Sequence, residues 1–119
     1  VYNNLIYNNH NAQGISLFQI DGAVPSTGAR IHNNTIIVPP YGRWGILFIN
    51  GAHAGAEVYN NIILSEHSSR GSISTISTSN FTSDYNLLVD VMNQIDDDPG
   101  NAVTLAQWQE ATGQDQHSI

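Results

Sequence analysis

Residues 58–64 read Val-Tyr-Asn-Asn-Ile-Ile-Leu, and three similar stretches begin at residues 1, 31 and 83: VYNNLIY, IHNNTII and SDYNLLV. Two residues after the last Asn of each stretch stands an aliphatic side chain. Aliphatic columns that recur at a fixed offset predict stacked coils with one continuous interior. These asparagines are spaced by 30, 27 and 25 residues and are Asn4, Asn34, Asn61 and Asn86.

A second recurring segment opens with glycine and lies between the asparagine stretches. It reads GISLFQI from Gly14, GILFIN from Gly45 and GSISTI from Gly71. Each repeat therefore holds about three short β runs separated by turn residues. Asn at the bend tolerates the left-handed backbone conformation, and its amide can bond to the equivalent Asn of the next coil. We expect the four asparagines to form a structural ladder.

The period selects one architecture among repeat folds. A leucine-rich repeat would show a Leu-x-x-Leu-x-Leu pattern, and a propeller blade needs about 40 residues or more. The prediction is an all-β, right-handed, single-stranded parallel β-helix of about four coils, within a single domain over residues 1–119. The repeats fall near 1–29, 30–56, 57–82 and 83–102.

The tail over residues 103–113 is predicted to be one short C-terminal helix. Thr104 and Gln107 have the spacing of a capping box, and Gly113 suits the C-terminal cap. Leu105, Trp108 and Ala111 share one face of that helix. We expect Trp108 to pack on the coil stack.

Composition limits the function classes. The net charge is −7, with no lysine and only three arginines. A nucleic-acid partner or an anionic membrane surface requires a stripe of cations, so neither is expected. Cysteine is absent, which excludes disulfides and thiolate metal sites.

The YNN-I-I and SDYNLLV segments resemble coils of the right-handed parallel β-helix superfamily that includes pectate lyases and other polysaccharide-active proteins. The tail over residues 103–119 is similar to a segment near the C-terminal end of bacterial secreted members. The resemblance implies an extracellular or cell-surface location. It also implies that the chain is a piece of a longer protein. It transfers no catalytic residue, so the catalytic groups are unknown.

The best local candidates for carbohydrate contact are Tyr41, Arg43 and Trp44, which follow Pro39-Pro40. Exposed aromatic rings stack on sugars, and Arg bonds to hydroxyls or carboxylates. The alternative is that they cover the neighbouring apolar strand. Arg70 is the other cation placed just ahead of a glycine-opened strand.

No metal or cofactor is expected. The run Asp96–Asp98 lacks the spacing of known Ca²⁺ loops and is interpreted as a solvated acidic loop. Ca²⁺ binding is possible, but no sequence motif supports it. The five histidines show no metal spacing. A glycosidase pair of carboxylates is also missing, because the counterpart of Asp21 on the next coil is Ala52.

Two functions remain open. The first is a segment of a secreted carbohydrate-active protein, a polysaccharide lyase or glycoside hydrolase whose catalytic groups are incomplete in this chain. The alternative is a non-catalytic β-helix module for polysaccharide binding, surface attachment or self-assembly. Open coil ends expose strand edges, so self-association through an end of the helix, or an added capping element, is also expected.

Overall fold

A computed structural model describes residues 1–17, 24–94 and 99–119 of the 119-residue chain. Short parallel strands in three sheets dominate it, with orders β1-β4-β7-β10, β11-β8-β5-β2 and β3-β6-β9. Successive coils thus add one strand to each sheet, which is the arrangement of a parallel β-helix. The strands are β1 Leu5–Tyr7, β2 Ile15–Leu17, β3 Arg30–His32, β4 Thr35–Val38, β5 Ile46–Phe48, β6 Glu57–Tyr59, β7 Ile62–Ser65, β8 Ile73–Thr75, β9 Thr82–Asp84, β10 Leu87–Leu88 and β11 Met92–Asn93.

The interior is a stack of aliphatic side chains in register. Ile36 pairs with Ile6 on one side and with Ile63 on the other, and Leu88 continues the column. Because side chains alternate across a strand, one set faces the core while its neighbours face outward. Other fully buried residues from the other two sheets complete the core, among them Ile31, Val58, Ile46, Phe48 and Ile73. The predicted parallel β-helix is therefore confirmed.

The asparagines of the repeat are linked by hydrogen bonds from coil to coil. Backbone N and Nδ2 of Asn34 both donate to Oδ1 of Asn61 at 3.0 Å. Asn61 bonds in the same way to Asn86, and Asn4 to Asn34. The Nδ2 groups also reach backbone carbonyls, as in the bond from Asn61 to Ile31 O. The buried amides of Asn34, Asn61 and Asn86 are hydrogen-bonded in this way, which fixes the register of the stack.

The two properties expected of the bend asparagine are divided between neighbouring residues. The residue before each ladder Asn has the positive φ, with values of 57° at Asn33 and 56° at Asn60. The same position in the last coil is Tyr85, with φ 57°. The first residue therefore turns the chain, and the second makes the ladder bonds.

The C-terminal helix is confirmed as α1, Leu105–Thr112. Its N-cap Thr104 and Gln107 form a reciprocal capping box, and Gly113 ends the helix with φ 70°. Trp108 is the buried residue of this helix, with an exposed fraction of 0%. The helix lies against β11 at the C-terminal end of the stack.

Residues 114–119 add a partial fifth coil, which the sequence did not predict. Asn86 N donates to Ser118 Oγ at 2.8 Å, just as Asn61 N donates to Asn86 Oδ1. Ile119 N bonds to Asn86 O at 3.0 Å, and Leu88 N bonds to Ile119 O at 2.7 Å. Ser118 thus takes the next ladder position, and the segment covers the C-terminal end of the coils.

Candidate functional site

Three stacked turns form a depression of about 360 Å³ on the side of the helix. Each turn connects a strand of the β1-β4-β7 sheet to the following strand of the β2-β5-β8 sheet. Because the turns belong to successive coils, residues distant in sequence lie side by side. The lining residues are Asn11, Tyr41, Gly42, Arg43, His67 and Arg70.

Tyr41 is held at the rim of this depression by the first coil. Its exposed fraction is 45%, its hydroxyl donates to Asn8 Oδ1 at 2.9 Å, and its ring stacks on His10 at a centroid distance of 4.6 Å. Two contacts at different ends of the side chain restrict its rotamer. The result is an aromatic ring that is oriented yet still reachable from solvent.

Arg43 extends from a turn that is fixed by its backbone. Gly42 N donates to Pro39 O at 2.8 Å, and Arg43 N donates to Ala12 O at 3.0 Å. The second bond crosses to the first coil, so it positions Arg43 beside the turn that contains Asn11. The Arg43 side chain is half-buried and lines the depression.

His67 organises the turn of the third coil. Its Nδ1 accepts hydrogen bonds from Ser69 N and Arg70 N, both at 3.1 Å. Burial, and secondarily the charge of Arg70, lowers the pKa of His67 below its usual value of 6.5. Because Nδ1 accepts both bonds, the neutral ring carries its proton on Nε2. Nε2 lies 3.4 Å from Arg70 Nη1, and in this tautomer the two donors do not hydrogen-bond to each other. Ser65 Oγ completes the turn by donating to Arg70 O at 2.9 Å.

The depression is rich in hydrogen-bond donors. Two of the three arginines of a chain with net charge −7 are among its described lining residues, and none of these described residues is acidic. Guanidinium groups bind carboxylates and sulfates with paired, charge-assisted hydrogen bonds. The site is thus suited to an anionic group on a ligand that also offers an apolar face to Tyr41.

Trp44 does not belong to this site. It is fully buried, with an exposed fraction of 0%, and it is not among the lining residues. An indole without exposed surface cannot stack on a sugar ring, so the prediction that Trp44 contacts carbohydrate is wrong. The sequence did not identify Asn11 and His67, because the three turns share no common sequence pattern around these positions.

The candidate metal ligands do not come together in the described part of the chain. No group of three or more His, Cys, Asp or Glu side chains within residues 1–17, 24–94 and 99–119 could hold a metal ion. Asp21 and Asp96–Asp98 lie outside the described residues. In the described part of the chain, no helix is long and apolar enough to cross a membrane.

The fold defines the class: the chain is a parallel β-helix with a donor-rich depression between its turns. Comparison with known proteins adds no family to this class. No protein-family model, curated protein or solved structure matches the chain.

Proposed function

We propose that this chain is a non-catalytic β-helix module that binds an acidic polysaccharide outside the cell. The observation that carries the proposal is that Tyr41, Arg43, His67 and Arg70 lie around one depression whose described lining residues include no acidic side chain. A saccharide that bears carboxylate or sulfate groups matches both the donors and the exposed aromatic ring.

The stacking of coils explains why the ligand would be a polymer. Adjacent strands of a sheet are about 4.8 Å apart, so turns from three coils offer contacts along roughly 10 Å. That length is enough for about two sugar units. The resemblance to secreted, polysaccharide-active β-helix proteins supports the same ligand class.

The test is titration calorimetry with a polyuronate, compared with a neutral glucan of similar length. Arg43→Gln and Arg70→Gln each remove one charge from the depression. The matched control is Arg30→Gln, because Arg30 lies in β3, outside the lining residues, and pairs with Glu57 at 3.3 Å. A charge-assisted hydrogen bond contributes about 1.5–3 kcal/mol, so each site variant should weaken binding about tenfold or more.

The control variant should bind like the wild type, and added salt should weaken binding of the polyuronate. Equal affinity of all three variants would show that the depression is not the binding site. Equal affinity for the polyuronate and the neutral glucan would contradict the acidic ligand.

A second candidate is cleavage of the polyuronate. It is favoured by the two arginines, because a lyase must neutralise the carboxylate next to the proton that it removes. Ultraviolet absorbance of unsaturated products distinguishes the two candidates. Products that disappear in Arg43→Gln or Arg70→Gln would assign catalysis to this chain, whereas binding without products supports the module.

A further inference from the structure

Two side-chain donors of the third coil lie close together in the depression. Nε2 of His67 carries the proton of the neutral ring, and it lies 3.4 Å from Nη1 of Arg70. A guanidinium group has donors only, so these two atoms cannot bond to each other. At this separation both can donate to one oxygen between them, or to two oxygens of one acidic group.

The turn fixes this arrangement of protons. Nδ1 of His67 accepts from Ser69 N and from Arg70 N at 3.1 Å each, so the ring proton cannot move to Nδ1 without the loss of both bonds. Ser65 Oγ accepts from His67 N at 3.2 Å and donates to Arg70 O at 2.9 Å. The backbone of both residues is thus held in place before a ligand arrives, which lowers the entropic cost of binding.

Both side chains can be reached by a ligand. His67 and Arg70 are half-buried, and both line the depression. Among the residues that the structure describes, none accepts a hydrogen bond from His67 Nε2. The charge of Arg70 also contributes to the lowered pKa of His67, after burial, as expected for two donors that face each other.

We infer that His67 Nε2 and Arg70 Nη1 form a clamp for a single oxyanion of the ligand, a carboxylate or a sulfate group. The inference rests on the proposed function, because it assigns the acidic group of that ligand to one pair of atoms. It gives the two nitrogens of His67 separate roles. Nδ1 holds the turn, whereas Nε2 contacts the ligand.

The variant His67→Asn separates these roles. An Asn side chain can accept from backbone N–H groups two and three residues later, as Nδ1 of His67 does, but it has no donor that reaches the position of Nε2. We expect this variant to bind digalacturonate about tenfold more weakly in titration calorimetry, because one hydrogen bond to a charged group is lost. The control ligand is the dimethyl ester of digalacturonate, which has no charge and should bind equally to both proteins.

A second readout uses the wild-type protein and does not depend on the variant. An anion bonded to Nε2 stabilises the protonated ring, so digalacturonate should raise the midpoint of the His67 titration in NMR, and the ester should not. A role of His67 in the turn alone would leave the midpoint unchanged by either ligand. His32, which lies in β3 outside the lining residues, is the internal control. A sulfated disaccharide in a parallel titration tells whether the clamp prefers sulfate or carboxylate.

The outcomes distinguish a failure of the clamp from a failure of the proposed function. Binding of digalacturonate that is weakened by Arg43→Gln, but not by His67→Asn, and that leaves the His67 midpoint unchanged would overturn the clamp alone. If digalacturonate does not bind, the proposed function is wrong, and sodium sulfate is titrated against sodium chloride of equal ionic strength. A rise of the His67 midpoint with sulfate that is absent in Arg70→Gln would support the clamp, and equal midpoints in the two salts would overturn it.

Discussion

The indole Nε1 of Trp108 donates a hydrogen bond of 2.9 Å to Oδ2 of Asp115. The carboxylate of Asp115 has an exposed fraction of 0%, and its Oδ1 accepts from three further donors. These donors are Ser83 Oγ, Asn86 Nδ2 and Ser118 Oγ. One buried side chain therefore joins helix α1, the fourth coil and residues 114–119.

Replacement of Asp115 by Ala should destabilise the protein strongly. The substitution removes the buried acceptor of Trp108 Nε1, Ser83 Oγ and Ser118 Oγ, and each unsatisfied group costs about 1–3 kcal/mol. Asn86 Nδ2 keeps its bond to Val58 O. We expect Asp115→Ala to lower the free energy of unfolding in urea by at least about 3 kcal/mol. Glu110→Ala on the exposed face of α1 is the control and should change it by less than about 0.5 kcal/mol. Similar losses for both variants would contradict the role of Asp115.

The ladder should be more sensitive in its middle than at its open end. Asn61 both donates to Asn86 and accepts from Asn34, whereas Asn4 is exposed and only donates. Asn61→Ala should therefore lower the free energy of unfolding by about 3 kcal/mol, and Asn4→Ala should lower it by about 1 kcal/mol. Urea denaturation of the two variants measures the difference. Equal costs would mean that burial does not govern the strength of the ladder.

The sequence predicted the fold because the physical cause of the fold repeats. The columns at Ile36 and Asn34 recur in each coil, and strand pairing follows directly from their period. The capping box of α1 is equally local, since Thr104 and Gln107 are three residues apart. Patterns of this kind need no knowledge of distant contacts.

The parts that the sequence missed depend on contacts without a period. Ser118 takes the ladder position of an asparagine, although the segment around it shares no pattern with the repeats. His67 lies beside Arg43 only because two turns of different sequence stack. Trp44 was interpreted as an exposed aromatic residue, since its position after two prolines does not reveal that it is covered.

The glycine that opens β5 is required by packing. A Cβ on Gly45 would collide with Ile63 Cγ2 and with Ser72 O, a backbone atom that cannot easily move. Gly45→Ala should therefore cost more than about 2 kcal/mol through overpacking of the core.

The matched control is Gly28→Ala, where a Cβ meets nothing within 4 Å but the backbone has φ 68°. At this position the loss of stability comes only from placing an alanine in the left-handed backbone conformation, and it should be about 1–2 kcal/mol. Thermal unfolding of the two variants separates steric from conformational cost. A Gly45→Ala protein as stable as the wild type would show that the coils can move apart at this point.

The environment of His67 in the folded protein should favour the neutral form of its imidazole ring. Burial and then the nearby charge of Arg70 lower the pKa of His67 below 6.5. The folded state thus favours the neutral ring, whose contribution to stability is complete above pH 6.5 and is lost as the pH falls below that value. Protonation of Nδ1 would also remove the acceptor for Ser69 N and Arg70 N.

NMR titration of the imidazole measures the pKa of His67 directly. We expect a midpoint below 6.5, with the proton on Nε2 in the neutral form. Arg70→Gln should raise the midpoint part of the way back, because it removes the repulsion but leaves the burial. Arg30→Gln removes a charge outside the site and should leave the midpoint unchanged. A midpoint at or above 6.5 in the wild type, or an equal rise in both variants, would mean that His67 does not organise the turn that presents Arg70.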